Sequence, residues 1–104
     1  MMLATATAAS LRDGADHAGR PTARGEVSAF PLDGELVLYD GRTGEAHMLN
    51  STGGHLWHLC DGSRSVTRIA REAALGFGIP YRQALADVRE FVTTLTDADL
   101  ITLD

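Results

Sequence analysis

The stretch Met48-Leu49-Asn50-Ser51-Thr52-Gly53-Gly54-His55-Leu56-Trp57-His58-Leu59-Cys60-Asp61-Gly62 decides the fold. Before it, apolar residues alternate with period two; after it, they recur with the helical period. Leu49 ends a strand. Asn50, Ser51 and Thr52 carry side-chain oxygens suited to the first free N–H groups of a helix. Leu56, Leu59 and Cys60 then fall at helical spacing, with Trp57 beside them. Asp61-Gly62 closes the helix, glycine supplying the left-handed turn that other residues resist. The stretch reads as a strand passing straight into a short helix with a bulky aromatic in its middle, and it predicts Leu49 and Trp57 as core residues.

Upstream, Glu45 to Leu49 is the last of three predicted strands. The turn Asp40-Gly41-Arg42-Thr43-Gly44 precedes it. Glu35 to Tyr39 is nearly all apolar, which predicts a central strand covered on both faces. Asp33-Gly34 is a strong hairpin signal, because both turn positions need positive φ. In the first strand Val27, Ala29 and Pro31 alternate with Ser28, Phe30 and Leu32. Together these form an antiparallel meander whose third strand lies at an edge, with free backbone N–H and C=O groups.

Downstream, three helices are expected. The first spans about Thr52 to Cys60. The second starts at Ser65, an N-cap residue, and carries Val66, Ile69, Ala70, Ala73 and Phe77 on one stripe before Gly76 and Gly78 end it. The third has Pro80 in its first turn, where a missing N–H costs nothing, and runs to about Thr96. Leu85, Val88, Val92 and Leu95 form its core stripe. Ala84 and Phe91 widen that stripe, and Phe91 at its margin is expected to touch a ligand more than the core. Leu100 to Leu103 packs after the helix as a short strand.

Composition narrows the classes. The chain has 104 residues, enough for one small domain, and its net charge is −5 with all nine basic residues Arg. Such a chain makes a poor general partner for nucleic acid or an anionic membrane. It has no apolar run of about 18 residues or more, hence no predicted membrane span. The single Cys60 makes no internal disulfide, so a reducing cytoplasm is the expected compartment. Met1 to Arg24 is rich in Ala, Thr, Gly and Asp without sustained periodicity, and reads as a disordered tail ahead of a folded domain from residue 25 to residue 104.

No set of residues calls for catalysis. His55 and His58 are three apart on one helix, with His47 near in sequence, but no carboxylate or second cysteine completes a metal site. Cys60 reads as a small buried apolar residue and lacks an evident base at any diagnostic spacing. Asp97 and Asp99 read as a helix-ending turn, and Asp87 and Glu90 as a solvated face. No phosphate loop or dinucleotide fingerprint is present. The chain is therefore expected to be a binding protein with no metal and no cofactor.

The ordered series Leu49, Asn50, Thr52, Gly53, Trp57, Asp61, Gly62, Ile69, Ala70, Asp87, Val88, Phe91, Val92, Leu95, Leu100 and Ile101 resembles the PqqD family. The resemblance covers about Val27 to Leu103. These are peptide chaperones of pyrroloquinoline quinone biosynthesis, with relatives in mycofactocin and lasso-peptide biosynthesis. Asp99 stands where the family usually has Gly, and Asp tolerates the left-handed region better than most residues. The resemblance implies a RiPP recognition element: an α+β, winged-helix-like domain of three strands followed by three helices. It further implies binding of a precursor's leader segment by strand addition, and presentation of that peptide to a maturation enzyme such as a radical SAM enzyme or a leader peptidase. The peptide-binding residues it implies are Glu45, Ala46, His47, Met48 and Leu49 of the third strand, with Asp87, Val88, Phe91, Val92 and Leu95 of the third helix. An edge strand beside an apolar helix stripe supplies both parts of such recognition. Two alternatives stand beside it. The second and third helices resemble a winged helix-turn-helix that binds DNA, although Arg82 and Arg89 of the would-be reading helix are offset by Asp87 and Glu90. A small oligomerisation module is the other, since edge strands also pair with one another to give a homodimer.

Overall fold

The computed structural model describes residues 19–103. Five strands and three helices follow in the order β1 (Pro21–Ala23), β2 (Val27–Leu32), β3 (Glu35–Asp40), β4 (Glu45–Leu49), α1 (Ser51–Leu59), α2 (Val66–Phe77), α3 (Tyr81–Asp97) and β5 (Ile101–Leu103). The fold is α+β and winged-helix-like: β2, β3 and β4 form an antiparallel sheet in that order, and three helices follow it.

Each boundary has a local cause. Asp33 at φ 52° and Gly34 at φ 81° make the two-residue β2–β3 turn, as hairpin twist requires. Asn50 caps α1, its Oδ1 accepting from the Gly53 N–H at 2.7 Å. Ser65 caps α2 through the Arg68 N–H at 3.2 Å. Gly78 ends α2 in the left-handed conformation, and Pro80 precedes α3. Asp99, at φ 61°, makes the left-handed turn into β5. α1 closes one residue earlier than expected: Cys60 is its C-cap, and Gly62 at φ 88° belongs to the turn beyond.

The core joins the inner face of the sheet to all three helices. Leu36, Leu38 and Leu49 from the sheet meet Leu56 and Trp57 of α1, Ile69 and Ala73 of α2, and Val88, Phe91 and Val92 of α3. Cys60 is buried among them, and burial pushes its thiol up to about 12. Asp40 is the buried charged residue of the inner face. Arg42 grips it twice, Nη2 to Oδ2 at 2.7 Å and Nε to Oδ1 at 3.1 Å, while Nη2 also donates to the Asp99 carbonyl at 3.0 Å. This fork, with the Arg42 amide, holds the Asp40 carboxyl down to about 2 and ties the β3–β4 turn to the end of α3.

Two expectations are corrected. The folded region starts earlier than Gly25: β1 pairs antiparallel with β5, Pro21 opposite Leu103 and Ala23 opposite Ile101. A three-residue strand shows no periodicity in sequence, so only its partner reveals it. The rest of the expected tail, residues 1–18, lies outside the described residues. β3 is central but covered on one face only: Leu36, Leu38 and Asp40 are buried, whereas Tyr39 points out and is exposed.

Candidate functional site

Among the described residues the sheet order leaves the outer edge of β4 without a strand partner. β4 pairs inward with β3, Leu36 opposite Leu49, Leu38 opposite His47 and Asp40 opposite Glu45. Since Leu36, Leu38 and Asp40 face the core, the register places Glu45, His47 and Leu49 on the helix side and Ala46 and Met48 on the outer side. Leu49 is buried, His47 is partly exposed with its Nε2 3.7 Å from Glu45 Oε1, and Met48 is exposed.

Between the three helices an apolar groove of about 190 Å³ opens. Thr52 and Leu56 of α1 form one wall, Ala73 and Phe77 of α2 with Ile79 a second, and Ala84, Asp87 and Val88 of α3 the third. Phe77 stands half out of the core at 38% exposure, with His55 edge-on to its ring at 5.2 Å. The groove offers an apolar floor with one carboxylate, Asp87, among its lining. That is the composition of a site that takes one or two apolar side chains and orients them with a polar group.

The structure separates the residues expected on α3. Asp87 and Val88 line the groove, Val88 with its side chain buried. Phe91, Val92 and Leu95 do not line it; they are core. Phe91 in particular, only 1% exposed, is among the largest fully buried side chains and not a marginal one. A helical stripe as wide as this one meets different neighbours along its length, and the wheel alone cannot say which end stays open. Sequence reading missed Thr52, Leu56, Phe77, Ile79 and Ala84 as groove residues. The available signal was Phe77-Gly78-Ile79, two large apolar residues astride a helix-ending glycine.

His55 and His58 are both exposed on α1. Among the described residues no group of three or more His, Cys, Asp or Glu side chains is placed to hold a metal ion. No helix among them is long and apolar enough to cross a membrane.

An open sheet edge together with a three-helix groove defines a small recognition domain. The family model for coenzyme PQQ synthesis protein D (PqqD) matches residues 35–101, from the start of β3 to the start of β5. The chain belongs to the PqqD family. Two solved structures share its fold. Lasso peptide synthetase B1 complexed with the leader peptide superposes with a TM-score of 0.71 at 25% identity, over 80% of this chain and 98% of that one. TbiB1 in complex with the TbiA(beta) leader peptide gives a TM-score of 0.70 at 21% identity, over 77% of this chain and 93% of that one. No match is found among curated proteins.

Proposed function

We propose that this chain binds the leader segment of a ribosomally made precursor peptide, as a strand added to β4, and presents it to a maturation enzyme. It does so as a binding protein without chemistry of its own, in the cytoplasm. The observation that carries this reading is the edge of β4, unpaired among the described residues, in a domain that also holds an apolar groove between α1, Ile79 and α3. Both similar structures hold leader peptides, and that supports the peptide reading over the DNA-binding one.

This reading has two kinds of contact. Backbone pairing along Glu45, Ala46, His47, Met48 and Leu49 supplies affinity with little sequence preference. Specificity falls to the groove, where a large apolar leader side chain sits against Leu56, Phe77, Ile79 and Val88. Glu45 and Asp87 favour a cationic residue nearby. About four to six ladder hydrogen bonds at roughly 0.5–1.5 kcal/mol each, plus about 2 kcal/mol per buried side chain, are offset in large part by ordering the peptide. The expected affinity is around micromolar or somewhat tighter.

The test is amide-shift mapping by NMR with a leader peptide from the same gene cluster. Shifts on β4, the start of α1, Phe77 to Ile79 and the first half of α3 are expected. Shifts confined to the exposed side of α3, appearing with duplex DNA instead, would refute the proposal.

A further inference from the structure

The pleat fixes which backbone groups the open edge of β4 offers. In an antiparallel ladder, successive residues turn their N–H and C=O to opposite sides of the strand. The Gly41 N–H bonds the Glu26 carbonyl, on the β2 side, and the Asp40 carbonyl takes the Gly44 N–H, on the β4 side. Along β3, therefore, Val37 and Tyr39 turn their backbone to β2, while Leu36, Leu38 and Asp40 turn theirs to β4. The partners of those three are Leu49, His47 and Glu45, which point their own backbone groups at β3. Among the described residues, the groups left on the outer edge of β4 are the N–H and C=O of Ala46 and Met48.

Side chains beside this edge differ between the two faces. On the outer face Phe30, Val37 and Met48 stand abreast across the sheet, Phe30 54% and Met48 55% exposed. The row ends at Met48, and the outer positions of β4 carry no charge. Edge strands that stay unpaired are commonly guarded by charge or proline. An apolar row open at its end instead suits an apolar cross-strand neighbour. On the helix side the edge is acidic. The Glu45 side chain is 70% exposed, with His47 Nε2 3.7 Å from its Oε1. Arg42, close in sequence, is taken by Asp40 and the Asp99 carbonyl. An added strand thus meets an apolar neighbour at Met48 and a carboxylate at Glu45, on opposite faces.

We propose that the peptide added to β4 hydrogen-bonds through Ala46 and Met48, and that it carries a large apolar residue opposite Met48 and, three positions away, an Arg or Lys opposite Glu45. This rests on the strand-addition reading above and gives that peptide a sequence pattern, a second source of specificity beside the groove. The two intervening residues fall opposite His47 and Ala46. The order of the pair also reports direction: the apolar residue comes first in an antiparallel strand and second in a parallel one.

The experiment displays random twelve-residue peptides on bacteria and sorts them against the full chain, then against Glu45→Lys and Met48→Ser. Salt is kept at about 50 mM, where surface charge is little screened. Peptides held by wild type are expected to share an apolar and a basic residue at this spacing. Glu45→Lys is expected to turn the basic preference acidic and leave the apolar one in place. Met48→Ser is expected to lose the apolar preference and keep the basic one; should it fail to fold, the charge swap at the exposed Glu45 still decides. A synthetic copy of one selected peptide should bind about three- to fivefold less tightly when its basic residue becomes Glu, and Glu45→Lys should recover most of that loss. Bound peptide should slow amide exchange at Ala46 and Met48, while His47 and Leu49, already bonded to β3, stay as they were. Peptides that protect Ala46 and Met48 yet show neither preference, or a charge preference that Glu45→Lys leaves unmoved, overturn this inference alone. Bound peptides that leave exchange at Ala46 and Met48 unchanged, or a sort that recovers no binder, bring down strand addition and this inference together.

Discussion

Replacing Phe91 by Ala removes one of the largest side chains of the core, at a position 1% exposed. Core Phe→Ala changes cost about 3–5 kcal/mol through lost burial and the cavity left behind. Total stability for a domain of this size is on the order of 5–10 kcal/mol, so Phe91→Ala should lose a large share of it. Each kcal/mol corresponds to about 4–8 °C in Tm for a small domain, which predicts a fall of at least 12 °C or so. Phe91→Leu keeps most of the volume and should cost about 1 kcal/mol. The assay is urea unfolding followed by circular dichroism and Trp57 fluorescence, paired with leader-peptide anisotropy at a low temperature where the variant remains folded. Under those conditions peptide affinity should stay near wild type. A Phe91→Ala protein of nearly unchanged stability that has lost leader binding tenfold would refute the reasoning and put Phe91 on the peptide.

Four further outcomes are expected. Phe77→Ala should weaken leader binding by about 1–3 kcal/mol with a smaller effect on Tm; equal losses in binding and stability would deny it a ligand role. Asp40 titrates well below its usual value of 3.8, at about 2, because of Arg42, so its contribution to stability is complete above about pH 4 and is lost as pH falls through about 2; Asp40→Asn should flatten that acid limb, and parallel wild-type and variant profiles would contradict the role of the pair. Gly62→Ala places a Cβ 2.8 Å from Thr22 Oγ1 at φ 88°, so it should destabilise by about 1–3 kcal/mol; an unchanged Tm would show that the β1 contact gives way freely. Cys60, buried and with its thiol raised to about 12, should react with a thiol reagent only at the rate of unfolding; fast labelling of the native protein would mean that the end of α1 opens locally.

Much of the fold was legible where one residue type answers one local need. Asp33-Gly34 announced its turn, Asn50 and Ser65 their helix caps, and Asp99 its left-handed turn. The strand-to-helix passage at Leu49 and Asn50 was legible because the apolar period changes there. What failed required knowing a neighbour. Val37 and Tyr39 are apolar, and composition alone cannot tell an apolar residue facing the core from one left for a partner, so β3 read as doubly covered. β1 is defined by partners far along the chain, β5 some eighty positions away and the turn at Asp61. Phe91 and Asp87 lie on one helix, yet the core closes over the first while the groove beside Ile79 leaves the second open.

The pairing of β1 with β5 has a consequence for how such a domain combines with others. It brings Pro21 opposite Leu103, so the incoming and outgoing chain meet at one corner, beside the last residue of α1, where the Ala23 N–H bonds the Cys60 carbonyl. β4 delivers the chain to the opposite end of α1, a helix of nine residues and thus about 13 Å long. Polypeptide entering ahead of β1 or leaving after β5 passes that corner, a helix length from where the sheet edge ends. The arrangement lends itself to gene fusion: the domain can be grafted onto either end of a larger enzyme, or inserted into one of its surface loops, while keeping its edge strand accessible.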